Sequence, residues 1–212
     1  LKRLLKKSSN KKEKERMKKI AIVVMSAAAS MAMAMGTMTN TSSGESPVKI
    51  YTNIDMNMTK MMIPSTTTKM GYSLSVGTDA AYMFTNDMGA SLGLDFSMLS
   101  GETSGNKSKV SYLDIPVNFV YMMSLTSDVS ALVGVGPYIG MPIGKMDVAG
   151  TKTKVETMYG LNLESHVTYA MSSDFALGGH IGFKYAMNDM DKTTDKTQNY
   201  WALGLGVSAK FL

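Results

Sequence analysis

The chain has 212 residues and a mass of 22.9 kDa, the size of one ordinary domain carrying a leader or a short appendage. With 44% hydrophobic and 18% charged residues it can bury a core, which excludes a wholly disordered or collagen-like chain. Cysteine is absent and histidine occurs twice, at His166 and His180, which excludes a disulfide scaffold, a thiolate metal site and a cysteine nucleophile, and argues against a multi-histidine centre. The net charge of +5 is unevenly placed. Residues 1–34 hold ten of the 22 Lys and Arg residues and two of the 17 acids, leaving 12 basic and 15 acidic residues and a net charge of −3 beyond them. A nucleic-acid partner needs a basic surface on the folded part, and none is predicted.

Residues 1–34 read as a basic leader and signal peptide. Lys18 and Lys19 form a positive start, Ile20–Met25 begins an apolar run, and Ala32-Met33-Ala34 offers small residues for cleavage after Ala34, with a cut after Ala29 as the alternative. The run is too short and alanine-rich for a membrane-spanning helix. Residues 35–47 form a flexible linker rich in Gly, Ser and Thr.

From residue 48 onward apolar and polar residues alternate, the period of strands with two different faces. Eight strands are predicted, at 48–59, 70–84, 88–99, 110–123, 129–143, 154–171, 174–188 and 199–211. The segment 88–98 is typical, with Met88, Ala90, Leu92, Leu94, Phe96 and Met98 opposite Gly89, Ser91, Gly93, Asp95 and Ser97. The connections alternate in length: brief turns at 85–87, 124–128 and 172–173, and longer links near 60–69, 100–109, 144–153 and 189–198. That asymmetry is expected of an all-β, eight-stranded antiparallel up-and-down transmembrane barrel of the outer-membrane type, occupying 48–212.

In such a barrel the apolar face points to lipid and the polar face inward. Strands of eleven or more residues fit a tilted membrane crossing. Aromatics gather near the strand ends: Tyr82, Phe84, Tyr121, Tyr169, Phe175 and Phe211 toward one rim, and Tyr51, Tyr72, Tyr138, Tyr159, Tyr185, Tyr200 and Trp201 toward the other. The inward set predicts a charge-paired network of Asp79, Asp95, Asp114, Glu156, Glu164, His166, His180, Lys184 and Lys210. An eight-stranded barrel is only wide enough for its own side chains, so the interior is expected to be filled rather than an open pore.

Three segments then carry a family resemblance: Tyr112-Leu113-Asp114-Ile115-Pro116, Gly136-Pro137-Tyr138-Ile139-Gly140, and the closing 204–211 segment GLGVSAKF. In order and placement the chain resembles the small outer-membrane β-barrel domain family of the Bacteroidota, the group that includes the PorT-like proteins. The resemblance implies an integral outer-membrane barrel of a Gram-negative-type bacterium, with both termini in the periplasm. It also implies that Pro116 and Pro137 sit at bulges or local breaks, and that Phe211 serves recognition by the barrel-assembly machinery. It transfers no activity. The chain departs from the family in having Leu212 after the terminal aromatic and in a poorly matching first strand.

His166 and His180, with Glu164, have the look of a metal site. With no further convergent ligand in the sequence, the expectation is a hydrogen-bonded interior pair, no metal and no cofactor. Asp95 and Asp114 are read as partners of interior lysines rather than a catalytic pair. No nucleophile turn or phosphate-binding loop is present, so no enzymatic activity is expected. Of the 22 methionines, Met98, Met123, Met141 and Met187 are assigned to lipid, and Met56, Met58, Met61 and Met62 form a close group beyond the leader and linker. The expected role is a monomeric structural or loop-presenting envelope protein. Its expected partners are outer-membrane lipids, the assembly machinery and periplasmic chaperones during biogenesis, and a loop partner of unknown identity. The alternatives are a narrow solute channel and a periplasmic lipocalin-like binder.

Overall fold

The computed structural model describes residues 47–62, 68–103, 106–148, 151–188 and 199–211. The predicted leader, nearly all of the linker and Leu212 lie outside these residues. Eight long strands run β1 (Val48–Met62), β2 (Thr68–Met83), β3 (Met88–Thr103), β4 (Asn106–Ser124), β5 (Val129–Pro142), β8 (Met158–Ala170), β9 (Phe175–Ala186) and β10 (Asn199–Phe211), with a short hairpin, β6 (Met146–Val148) and β7 (Thr151–Thr153), between β5 and β8. Each long strand pairs antiparallel with its neighbour, and β1 pairs with β10, so the sheet closes.

The closure has a definite stagger. Stepping across paired residues from Val48 through Tyr82, Ala90, Phe119, Val135, Leu163, Phe183 and Leu203 returns to β1 at Met58, ten residues along. For strands about 4.8 Å apart that rise about 3.3 Å per residue, this stagger tilts the strands by about 40° and gives a radius of about 8 Å. At that tilt even β9, with 12 residues, reaches about 30 Å along the axis, a hydrocarbon thickness. Every residue of the circuit is apolar and points outward.

Three turns share one construction. Phe84-Thr85-Asn86-Asp87, Leu125-Thr126-Ser127-Asp128 and Met171-Ser172-Ser173-Asp174 each begin with an apolar residue, place Ser or Thr second and Asp fourth. In each, the first two backbone N–H groups donate to the carbonyl of the residue after the Asp, namely Met88, Val129 and Phe175. The hydroxyl of Thr85, Thr126 or Ser172 accepts from the N–H of that Asp. Such a local side-chain acceptor is why Ser and Thr occupy tight turns.

Several expectations need correcting. The links near 60–69 and 100–109 are shorter than predicted, because β1 and β2 extend toward one another and β3 and β4 run to Thr103 and from Asn106. The 144–153 link contains β6 and β7, entered through Gly144, whose φ of 99° few side chains tolerate. Residues 154–157 precede β8 rather than belonging to it. Pro116 and Pro137 sit at local breaks, as expected, but not at bulges: pairing is interrupted between Pro116 and Phe119 in the β4–β5 ladder and between Leu92 and Asp95 in the β3–β4 ladder, while the register is the same on both sides. A register shift lies elsewhere, between Met70 and Ser75 in the β2–β3 ladder.

Candidate functional site in the barrel interior

The interior has three layers. At the short-turn end Tyr51, Ala81, Met83, Val120 and Leu132 pack together with Met122 against them. At the opposite end Leu99, Val110, Tyr112, Met158, Ala186, Tyr200 and Ala202 form a second apolar cluster. Met146 from β6 and Val155 from the segment after β7 complete it. Between these plugs lies the polar layer. The plugs were missed by sequence reasoning, which treated the inward face as polar throughout; the available signal was Tyr51, Tyr138 and Tyr200, large side chains at inward-parity positions, with Met146 and Val155 between β5 and β8.

Within the polar layer, Asp55, Asp79, Asp95, Asp114, Glu164, His180 and Lys184 surround a cavity of about 30 Å³, space for about two water molecules. Lys184 Nζ lies 2.9 Å from Asp95 Oδ2 and 2.8 Å from Asp114 Oδ2. Asp114 also accepts from Ser97 Oγ at 2.7 Å. Glu164 accepts from Asn118 Nδ2 at 2.9 Å through one oxygen and from Asn162 Nδ2 at 3.0 Å through the other. His180 Nδ1 lies 2.8 Å from Asp55 Oδ1, and His166 Nδ1 lies 2.8 Å from Ser208 Oγ. The two imidazoles occupy paired positions on β8 and β9 with ring centroids 4.4 Å apart, and Tyr51 packs on His166 at 4.7 Å.

Room for these carboxylates comes from glycine. In register, Asp55 stands opposite Gly206, Asp79 opposite Gly93, Asp95 opposite Gly77 and Asp114 opposite Gly140, while Glu164 has Gly134 on one side and Gly182 on the other. A Cβ at Gly140 would stand 2.6 Å from Asp114 Oδ1. In a lumen of about 8 Å radius a long polar side chain lies flat across the neighbouring strand, so that strand must lack a side chain there.

Not all of the predicted set enters this cluster. Asp79, Asp95, Asp114, Glu164, His180 and Lys184 line the cavity, and His166 lies beside it on His180. Lys210 is buried near the short-turn end, in register with Tyr51, outside the cavity lining. Glu156 is a correction: it precedes β8, is partly exposed, and pairs with Lys154 at 3.6 Å. Asp55, Asn118, Asn162 and Ser208 belong to the network and were not singled out, although each has the inward parity of its strand. Three girdle assignments also change, since Tyr51, Tyr138 and Tyr200 are buried inside, the last two joined through their hydroxyls at 3.0 Å.

The outward face carries large apolar side chains around the circumference, among them Leu74, Leu92, Val135, Leu163, Ile181 and Val207, all exposed. Tyr82, Phe84, Tyr121, Tyr169 and Phe211 are exposed toward the short-turn rim, with Phe211 packed at a tilt against Phe175, ring centroids 5.5 Å apart. Tyr72 and Tyr159 are exposed toward the other. Met56, Met123, Met141 and Met187 are exposed and Met98 is half-buried.

No family model and no curated protein matches the sequence. Among solved structures, Neisserial surface protein A is similar over 75% of this chain and 95% of its own, at 18% identity and a TM-score of 0.50. The outer membrane protein OprG from Pseudomonas aeruginosa is similar over 79% of this chain and 98% of its own, at 12% identity and a TM-score of 0.51. At such identities the likeness is one of fold, and the chain has the closed, eight-stranded antiparallel fold of the small outer-membrane β-barrels.

Proposed function

We propose that the chain is a non-enzymatic integral outer-membrane β-barrel with a side-chain-filled interior, serving the envelope structurally or by presenting its longer connections to a partner. The observation that carries this reading is the exposed apolar belt around the outside, together with charges gathered inside. In water that arrangement leaves a large apolar surface unpaired with anything, whereas in lipid it is the stable one. Closure meets the requirement that no strand edge face hydrocarbon.

The short-turn rim, where β1 begins and β10 ends, is assigned to the periplasm, and the opposite rim to the exterior. The segments that carry the resemblance to the PorT-like proteins contribute to the interior: Asp114 holds Lys184, Gly140 leaves room for Asp114, and Tyr138 joins the plug opposite the short-turn end through Tyr200. The plugs and the small cavity oppose a solute channel. A lipocalin-like binder is opposed by the direction of the apolar face, which in that case lines a cavity.

The test is membrane fractionation followed by gel mobility with and without boiling. Outer-membrane enrichment with a heat-dependent mobility shift is expected, along with no conductance in planar bilayers. Detergent-free periplasmic protein without the shift would overturn the membrane reading, and steady conductance would overturn the filled interior.

A further inference from the structure

Glu164, His166 and His180 each bring a ligating atom within 4.8 Å of the others, and all three are buried. They come from two adjacent strands: His166 and His180 are cross-strand partners, and Glu164 is two residues before His166 on the same inward face. The ring nitrogens divide cleanly. Each Nδ1 is engaged from behind, by Ser208 on His166 and by the Asp55 carboxylate on His180. Among the described residues neither Nε2 has a hydrogen-bond partner, in side chains that are 0% and 7% exposed. A carboxylate accepting from one ring nitrogen fixes the tautomer that leaves the other nitrogen a free lone pair, the arrangement that supports histidine ligands to metals.

Two further observations point to a cation at the same place. Asp79 Oδ2 approaches His166 Nε2 at 4.0 Å, and Asp79 Oδ1, in a side chain 3% exposed, also lacks a hydrogen-bond partner among the described residues. The adjoining cavity is lined by five carboxyl groups and one lysine, oxygen-rich surroundings whose negative charge, where ionised, favours a bound cation. Space exists as well: Gly182, the residue facing Glu164, keeps the side of the His180 ring open, since a Cβ there would stand 3.1 Å from its Cε1.

We propose that the barrel interior holds one first-row divalent transition-metal ion, ligated by His166 Nε2, His180 Nε2 and the Glu164 carboxylate. Two imidazoles with a carboxylate suit zinc and its neighbours, not calcium or magnesium, which take oxygen ligands. Two ligands at about 2 Å from a tetrahedral ion lie about 3.4 Å apart, so binding draws the farthest pair together by side-chain rotation. Asp79 then lies within reach of an ion-bound water. Asp55 is a positioning residue, acting on the ion through His180.

The experiment uses the full chain without an affinity tag, folded into detergent micelles with zinc and freed of excess ion by gel filtration. The expected result is about one zinc per chain, X-ray absorption with the scattering of two imidazoles, and magnesium that fails to compete. Asp55→Asn is expected to weaken zinc binding about tenfold or more, and His166→Gln with His180→Gln to abolish retention while the heat-dependent mobility shift persists. Zinc lost on gel filtration would overturn the proposal, as would zinc bound without imidazole scattering, at the exposed turn aspartates for example. Should the double variant fail to fold, the absorption spectrum of the unaltered protein decides alone. Because retention is read in detergent, its failure is separable from failure of the membrane reading.

Discussion

Asp95 and Asp114 face each other as Cα partners across the β3–β4 ladder, and Lys184 on β9 crosses the lumen to touch both, at 2.9 and 2.8 Å. Like charges directly opposite on a sheet repel, so neither acid explains the other; the lysine explains both. Because β9 is not a sheet neighbour of β3 or β4, this contact ties opposite walls together. It belongs to the level of packing energetics, and it fills space that a channel would need.

Lys184→Met therefore leaves two buried carboxylates without their cation. We expect a loss of about 3–5 kcal/mol, the usual result of breaking a buried pair from one side, measured by denaturant unfolding in detergent or lipid. Adding Asp95→Asn and Asp114→Asn to the same chain should recover most of it. A single variant as stable as the parent would show that Lys184 is a bystander.

Gly77→Ala probes the pairing of carboxylate with glycine. The added methyl would fall on the Asp95 carboxylate and, at 2.8 Å, on Asn53 Oδ1. Overpacking of this kind costs about 1–3 kcal/mol. Gly179→Ala is the control, since a Cβ there has nothing nearer than the Gly206 carbonyl oxygen at 3.9 Å. Unfolding midpoints of the two variants should separate clearly.

Period-two alternation made most of the barrel legible. It located all eight long strands and their facing, because one residue of slip would turn every side chain to the wrong face; it overestimated the connections near 60–69 and 100–109, where β3 and β4 leave only residues 104–105 between them. The same parity was enough to put Tyr51 with Asn53 and Asp55, Tyr200 with Ala202, and Tyr138 with Gly136 and Gly140, all inside; a rule placing tyrosines at rims obscured it. What the sequence does not encode locally is the ten-residue stagger. That quantity decides which inward residues share a level, so Asp55 meeting His180 through Gly206, or Lys184 meeting Asp114, emerges only on closure. The hairpin of β6 and β7 was hidden for another reason: three-residue strands are too short to display a period.

The repeated turn predicts a local, modest effect. Thr126→Ala removes an acceptor for the N–H groups of Asp128 and Val129, bonded at 3.3 and 3.0 Å. A loss of about 0.5–1.5 kcal/mol is expected, with Thr126→Ser close to the parent. Equilibrium unfolding of the pair checks it, and equal losses in both would assign the effect to something other than the hydroxyl.

The outward belt is tested at Leu163 and Val135, paired residues on β8 and β5 near the middle of the apolar circuit. Leu163→Arg is expected to destabilise the lipid-inserted barrel by about 2–4 kcal/mol, the cost of a cation at the bilayer midplane. The same change at Tyr169, exposed near the short-turn rim, should cost about 1 kcal/mol or less. Equal costs at the two depths would argue against a membrane crossing.

The central claim, a barrel whose apolar face meets lipid, has a direct measurement because the chain contains no cysteine. Single cysteines placed at Val135, Leu163, Ile181 and Val207, and at the turn residues Asn86, Ser127 and Ser173, would carry a small fluorophore in bilayers containing quencher on the lipid chains. Strong quenching is expected at the first four sites and little at the three turns. Unquenched fluorescence at Val135, Leu163, Ile181 and Val207, in protein that remains with the lipid, would contradict it.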